Sequence, residues 1–129
     1  MAIKTYSFRK EERLKSRKLI ETLFREGKAF SVFPYRVIYM PLKEQGNSPV
    51  QVGFSVATRR FPRAVDRNRI KRLGREAWRL QKQELYDHLK IQSRQLAVFL
   101  IYTDKKIPDF STLQGKISVI LKKLLTTAG

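Results

Sequence analysis

Side chains suited to binding phosphate are concentrated in residues 59–79, which read RRFPRAVDRNRIKRLGREAWR. Arginine binds phosphate through a planar fork of N–H donors, and lysine binds it as a point charge. Only Asp66 and Glu76 are acidic in this stretch. Its nine basic residues are Arg59, Arg60, Arg63, Arg67, Arg69, Lys71, Arg72, Arg75 and Arg79. Such a charge density indicates a surface that binds a polyanion.

From Asp66 onward the same stretch has the period of an amphipathic helix. Ile70, Leu73, Ala77 and Leu80 recur at helical spacing and predict a face that packs on a core. At about 100° per residue, the opposite face carries Asn68, Lys71, Arg72, Arg75, Arg79 and Lys82. A helix face that only meets water usually mixes charges of both signs. Because this face has no acid, we interpret it as a binding surface rather than a solvated one.

Residues that would support catalysis by the polypeptide itself are scarce. A metal-dependent nuclease needs clustered carboxylates, and acid/base catalysis needs a suitably placed histidine or lysine. The 11 acids are scattered without a D-x-D pair, and His88 is the one histidine. We expect His88 at the surface near a helix end, where a histidine interacts favourably with the helix dipole. With no glycine-rich phosphate loop either, we expect no catalytic residue, no metal ligand and no cofactor bound by the protein alone.

The composition indicates the class of partner. The sequence has 129 residues, 28 of them Lys or Arg and 11 Asp or Glu, with a formal net charge of +17 and an isoelectric point near 10.6. This charge attracts nucleic acid or an anionic membrane surface. The absence of cysteine excludes disulfides and thiolate metal sites. The length fits one domain covering residues 1–129.

No targeting segment is evident in the sequence. The longest apolar run, residues 96–102, is far shorter than the ~20 residues that span a bilayer. The first residues also lack the apolar core of a signal peptide. We therefore expect a cytoplasmic protein.

The first half of the chain predicts a helix followed by strands. Residues 1–15 are basic and poorly patterned, so we expect a flexible lead-in in which only Leu14 is ready to be buried. Residues 17–26 form an amphipathic helix with Ser16 as a possible N-cap. Residues 28–40 read as two strands divided by Pro34, or as one bent edge region. Turn residues follow.

The second half completes one sheet with helices packed on it. Residues 50–56 alternate as a strand with one apolar face, and the basic helix then runs to about His88. Residues 96–102 are apolar on both faces, as in a central strand. A capping box at Ser111 starts a final helix. The order α-β-β-β-α-β-α predicts an α/β (α+β) two-layer sandwich with a βαβ unit, whose crossover would ordinarily be right-handed.

The centre of the basic helix resembles a known family. The run Arg67-Asn68-Arg69-Ile70-Lys71-Arg72, with Ala64-Val65 before it and Arg75-Glu76-Ala77 after it, resembles the signature of the protein subunit of bacterial ribonuclease P. The strand Gly53-Phe54-Ser55-Val56 and the pair Arg59-Arg60 are similar to that family too, and a looser likeness extends from Leu14 to the last helix. The family commonly has glycine and a polar residue where this chain has Pro62-Arg63, a departure that affects the basic loop.

The resemblance implies a ribonucleoprotein that cleaves precursor tRNA at its 5′ leader. The RNA subunit is expected to hold the active site and to bring divalent metal, Mg²⁺, into the holoenzyme. The protein is expected to bind that RNA and the leader, to be monomeric without RNA, and to bind no membrane and no small-molecule substrate. The family also implies a left-handed βαβ crossover, against the usual rule.

The resemblance also implies two groups of site residues. The RNA subunit is expected to contact Arg59, Arg60, Arg63, Arg67, Asn68, Arg69, Lys71, Arg72, Arg75 and Arg79. The leader is expected in a cleft between the first helix and the sheet, lined by Ile20, Phe24 and Tyr39. The position of Ile20 is often Phe in the family, so base stacking there is expected to be weaker. For Phe24, a core role and a stacking role are equally open.

Two alternative functions use the same basic helix. A ribosomal-type protein of similar fold could anchor it on rRNA, although such an anchor has no need of Asn68 between Arg67 and Arg69. A helix lying on a membrane surface is disfavoured, because its apolar face is needed to pack on the sheet.

Overall fold

The computed structural model describes residues 10–43 and 48–128 of the chain. Within these ranges it contains one sheet, with strand order β1-β2-β4-β3. The strands are β1 (Lys28–Val32), β2 (Tyr35–Leu42), β3 (Val50–Val56) and β4 (Gln95–Tyr102). β2 pairs antiparallel with β1 and β4, whereas β3 pairs parallel with β4. The two strands predicted around Pro34 are therefore present as a hairpin.

Helices precede, connect and follow these strands. They are α1 (Arg17–Glu26), α2 (Ala64–Gln81), α3 (Gln83–Ile91) and α4 (Phe110–Ala128). The prediction of Ser16 as the N-cap of α1 is confirmed, because its side chain accepts a 3.2 Å hydrogen bond from the backbone N–H of Leu19.

The prediction of one helix continuing to His88 is wrong at Lys82, which separates α2 from α3. The Lys82 side chain is buried and binds Glu12, far away in sequence. A helical period reports on local spacing alone, so it could not show this contact.

The core lies mainly on one side of the sheet. Successive strand residues point to opposite faces. Val37, Val52, Val98 and Leu100 face α2, α3 and α4 and belong to the cluster that contains Trp78. We call this side the helix face.

The opposite side of the sheet is covered in part by α1. Ile38 and Ala97 are buried there against Leu23 of α1, with Leu14 in the same cluster. We call this side the cleft face; its residues are Ile38, Met40, Ala97, Phe99 and Ile101. The mixed α+β class with a single sheet in the described ranges is confirmed.

The lead-in differs from its prediction where it can be described. Residues 10–12 form a 3₁₀ turn, and both Glu12 and Leu14 are buried. Arg13 forms a parallel bridge with Val52, and the Leu14 N–H donates to the Val52 carbonyl at 3.0 Å. The expected burial of Leu14 is confirmed, but the expected flexibility is corrected for residues 10–14. Residues 1–9 lie outside the described ranges.

The connection from β3 through α2 and α3 to β4 joins parallel neighbours, which confirms the predicted βαβ unit. Its left-handed sense stays a prediction from the family resemblance.

Candidate nucleic-acid interface

The basic helix is held on the sheet by a stripe that differs slightly from the predicted one. The buried residues of α2 are Ile70, Gly74, Ala77 and Trp78, whereas Leu80 is exposed. Gly74 allows the close approach: a Cβ atom there would lie 2.8 Å from the Tyr35 hydroxyl oxygen. The buried stripe therefore contains Trp78 instead of the predicted Leu80, so the helix is turned slightly about its own axis relative to the predicted orientation.

This orientation directs most of the predicted phosphate-binding residues outward. Arg67, Lys71 and Arg79 are partly buried. The exposed ones are Arg59, Arg60, Arg63, Asn68, Arg69, Arg72 and Arg75. We call the exposed side of α2 that contains Asn68, Arg69, Arg72 and Arg75 the basic face. Lys82, which the helical period placed there, is instead buried.

Arg67 is bonded to the loop that precedes α2. Its Nη1 donates to the carbonyl of Phe61 at 2.8 Å and to that of Pro62 at 2.7 Å. Phe61 itself is buried against Tyr102. Arg67 therefore fixes the conformation of the loop that departs from the family at Pro62-Arg63.

An ion pair lies at the margin of the basic face. The Nε of Arg79 donates to the Glu76 carboxylate at 3.1 Å, and a second nitrogen of Arg79 contacts the other oxygen. The hydrogen bond from Arg79 lowers the pKa of Glu76, and the same bond raises the pKa of Arg79. The helical spacing placed Arg79 on a face without an acid, whereas the structure pairs it with Glu76.

The lead-in adds a cation that the sequence did not point to. Burial, and after it the nearby charge of Arg13, lowers the pKa of the Arg75 guanidinium below its usual value. Arg13 reaches this position through its bridge with Val52. The sequence could not show that Arg13 influences Arg75, because the two residues are far apart in the chain and no local pattern links them.

The predicted leader cleft has a different aromatic lining. Phe24 is 56% exposed and contacts Phe99 edge to face, with ring centroids 5.7 Å apart. Ile20 is partly buried beside them. The Phe99 ring lies over Gly53, where a Cβ atom would be 2.9 Å from it. A glycine in strand β3 thus makes room for an aromatic ring on the cleft face.

Tyr39 does not lie in this cleft. It is buried on the helix face and packs on Phe30, with ring centroids 5.7 Å apart. The alternation along β2 explains the difference, because Ile38 and Met40 face α1 and Tyr39 between them must face away. The structure therefore brings Ile20 and Phe24 together with Phe99, and separates Tyr39 from them. The alternation of side chains along β2, counted from Ile38, is the sequence signal that could have shown this.

Other potential sites offer little chemistry. Residues 10–43 and 48–128 contain no group of three or more His, Cys, Asp or Glu side chains that could hold a metal ion. His88, expected at the surface, has its Nε2 atom buried instead. Within the same ranges, no helix has the length and apolarity needed to cross a membrane.

Comparison with known proteins gives a consistent family. The family model described as Ribonuclease P matches residues 8–125. A ribonuclease P protein component of Porphyromonas gingivalis is 44% identical over 128 residues, which cover 97% of this chain and 89% of the relative. One from Chlorobium phaeobacteroides is 36% identical, covering 92% and 88%.

Solved structures resemble the fold. The ribonuclease P protein of Staphylococcus aureus superimposes with a TM-score of 0.67 at 21% identity, covering 88% of this chain and 95% of that protein. The protein from Thermotoga maritima gives a TM-score of 0.66 at 25% identity, covering 87% and 96%.

Proposed function

The chain belongs to the ribonuclease P protein family, and we propose that it is the protein subunit of a ribonucleoprotein that removes the 5′ leader from precursor tRNA. In this proposal the RNA subunit holds the active site, and Mg²⁺ enters with the RNA. The protein contributes binding surfaces, acts as a monomer before it meets RNA, and works in the cytoplasm. Membranes and small-molecule substrates have no role.

The observation that carries the proposal is the rigid mounting of the basic face. Ile70, Ala77 and Trp78 fix α2 on the sheet, and Gly74 lets the helix approach closely. A buried stripe of this kind holds the helix in one orientation, so the helix itself does not have to be ordered when its exposed cations meet a phosphate backbone. We assign the RNA subunit to this face, with Arg69 and Arg72 as its main phosphate contacts.

The loop before α2 extends the same surface. Arg59, Arg60 and Arg63 are exposed beside the start of the helix. Arg67 supports this loop through the carbonyls of Phe61 and Pro62. We therefore propose that Arg67 acts partly by positioning the loop, while its neighbours contact RNA directly.

The leader of the precursor is assigned to the cleft face beside α1. Phe24 offers a largely exposed ring, supported at its edge by Phe99. Unpaired bases stack on exposed aromatic rings, at roughly 1 to 3 kcal/mol per base. Tyr39 has no part in this surface, because it lies across the sheet from Phe24.

Reconstitution tests this function. The protein is added to a ribonuclease P RNA at low Mg²⁺, and cleavage of precursor tRNA at the mature 5′ end is followed. We expect strong stimulation, because the basic face neutralises RNA charge that Mg²⁺ otherwise screens. A protein lacking Arg69 and Arg72 is the control. Binding of RNA without any stimulation of processing would instead favour a plain anchor of the rRNA-binding type.

A further inference from the structure

Val65 is an apolar side chain on the exposed side of α2, where it is 67% accessible. It lies in the first turn of that helix. At about 100° per residue, the step from Val65 to Arg72 turns through ~700°, which is ~20° short of two full turns. The two side chains therefore point in nearly the same direction, and Val65 lies within the basic face.

Neither core packing nor helix formation accounts for a valine at this position. The buried residues of α2 lie on the other side of the helix. Branching at Cβ restricts the valine side chain in a helix and makes valine a poorer helix former than alanine. Asn68 and Arg69, three and four residues further on, are its neighbours on the helix surface, with roughly 5 to 6 Å between Cβ atoms. An RNA strand that contacts both of them also covers Val65.

Asn68 brings a second property that phosphate binding does not use. Its amide both donates and accepts hydrogen bonds, whereas arginine and lysine side chains only donate them. The oxygens of a phosphate diester only accept, so a phosphate would leave the amide oxygen of Asn68 unused. The 2′-hydroxyl of a ribose both donates and accepts, and it therefore matches both ends of the amide. Asn68 is exposed, so this amide faces an incoming ligand.

An apolar side chain beside an amide suits the sugar side of an RNA strand. The methyl groups of Val65 gain free energy by leaving water against carbon atoms, which the ribose offers and the phosphate does not. In an RNA helix, the wide and shallow minor groove displays riboses with their 2′-hydroxyls. The guanidinium groups of Arg69 and Arg72, on the same face, are then placed for phosphates of the adjoining backbone.

We propose that Val65 and Asn68 form a ribose-binding site within the basic face. Val65 packs on a ribose of the RNA subunit, and the Asn68 amide exchanges hydrogen bonds with a 2′-hydroxyl beside it. Such a site distinguishes RNA from DNA, which attraction between charges alone does not do. It rests on the proposed function in taking the RNA subunit as the ligand.

The test of the apolar contact compares Val65→Ala with Val119→Ala. Val119 is an exposed valine of α4, 43% accessible, so the control removes the same atoms from another helix. Filter binding to a ribonuclease P RNA is measured over a salt series. For Val65→Ala we expect affinity to fall roughly threefold to tenfold with an unchanged slope of log affinity against log salt, because no charge is lost. Equal affinities of the two variants, or a changed slope, would overturn the contact.

The test of the 2′-hydroxyl uses a ribonuclease P RNA in which a small fraction of the riboses are replaced at random by 2′-deoxyribose. RNA that binds the protein is separated from RNA that does not, and the deoxy positions in each fraction are mapped. With the wild-type protein, we expect one or two positions at which the deoxy sugar is depleted from the bound RNA. With Asn68→Ala, that depletion should disappear and affinity should fall roughly threefold to tenfold. The same depleted positions with both proteins would overturn the role of Asn68.

Circular dichroism of Val65→Ala and Asn68→Ala verifies that both variants fold, which is expected because both residues are exposed and alanine favours a helix. Reconstitution separates the failure of this site from the failure of the proposed function. If the wild-type protein does not stimulate processing, the proposed function fails. If the wild-type protein stimulates processing but both variants bind the ribonuclease P RNA as tightly as it does, the ribose-binding site alone fails.

Discussion

The ammonium of Lys82 and the carboxylate of Glu12, 70 positions apart in the chain, form a buried ion pair. The Tyr86 hydroxyl donates to the same Glu12 oxygen at 2.8 Å and accepts a hydrogen bond from Trp78 Nε1 at 3.1 Å. This network ties the lead-in to the junction between α2 and α3. The part of the chain that appears least ordered in the sequence is thus bonded to the centre of the fold.

Replacing Glu12 with Ala is expected to destabilise the protein by about 3 to 5 kcal/mol, because Lys82 keeps its buried charge without the carboxylate. Urea unfolding measures the change. Glu11→Ala removes an exposed acid from the same turn and is expected to cost less than about 0.5 kcal/mol. Similar stabilities for the two variants would show that the ion pair contributes little.

Arg72→Ala and Arg67→Ala are expected to act differently. Arg72 is exposed, so its loss weakens RNA binding and makes the slope of log affinity against log salt shallower by ~0.7 to 0.9, with stability unchanged. Arg67→Ala also removes the bonds to the Phe61 and Pro62 carbonyls, and we expect an added loss of about 1 to 3 kcal/mol in the free energy of unfolding. Thermal unfolding and filter binding over a salt series separate the two effects.

Phe24→Ala is expected to weaken binding of precursor tRNA to the holoenzyme roughly five- to 150-fold through loss of one stacked base. Mature tRNA has no leader, so its affinity should stay unchanged. The control is Phe33→Ala, which removes another largely exposed ring, 65% accessible, beside the turn between β1 and β2. A loss shared by precursor and mature tRNA would remove Phe24 from the leader surface.

Gly53→Ala is expected to push the Phe99 ring away from the sheet, since the new methyl group would lie 2.9 Å from it. Such overpacking costs about 1 to 3 kcal/mol. Thermal unfolding should show this loss, and Phe99→Leu in the same chain should restore part of it by making room. If Phe99→Leu gives no rescue, the ring is not what constrains residue 53.

Alkaline pH should destabilise the fold through its buried tyrosines. Burial raises the pKa of Tyr102 to about 12, and burial also raises the pKa values of Tyr35 and Tyr86. In the unfolded chain these groups lose their protons near pH 10. Their contribution to stability is therefore complete below about pH 10 and is lost as the pH rises toward 12. When unfolding is measured over this pH range, the free energy of unfolding should fall less steeply with pH for Tyr102→Phe than for the wild type.

The features that could be predicted from the sequence are those that depend on neighbours in the chain. The Ser16 cap, the outward direction of Arg72 and Arg75, and the alternation of β3 all follow from local spacing. The positions of Lys82 and Arg13 do not, because each is decided by a contact across the fold. Tyr39 shows a third case: its strand was identified correctly, but its face depends on which neighbours in β2 pack on α1.

The strand order has a consequence for how the chain is made. β4 lies between β2 and β3, yet it is the last of the four described strands to be synthesised. Until it leaves the ribosome, β2 and β3 each present an unpaired edge, and only the β1–β2 hairpin can form by local pairing. Nascent chains that end before residue 95 therefore expose strand edges and core side chains, and we expect them to depend on chaperones in a way that chains extending beyond residue 102 do not. Limited proteolysis of stalled chains of both lengths would reveal the difference.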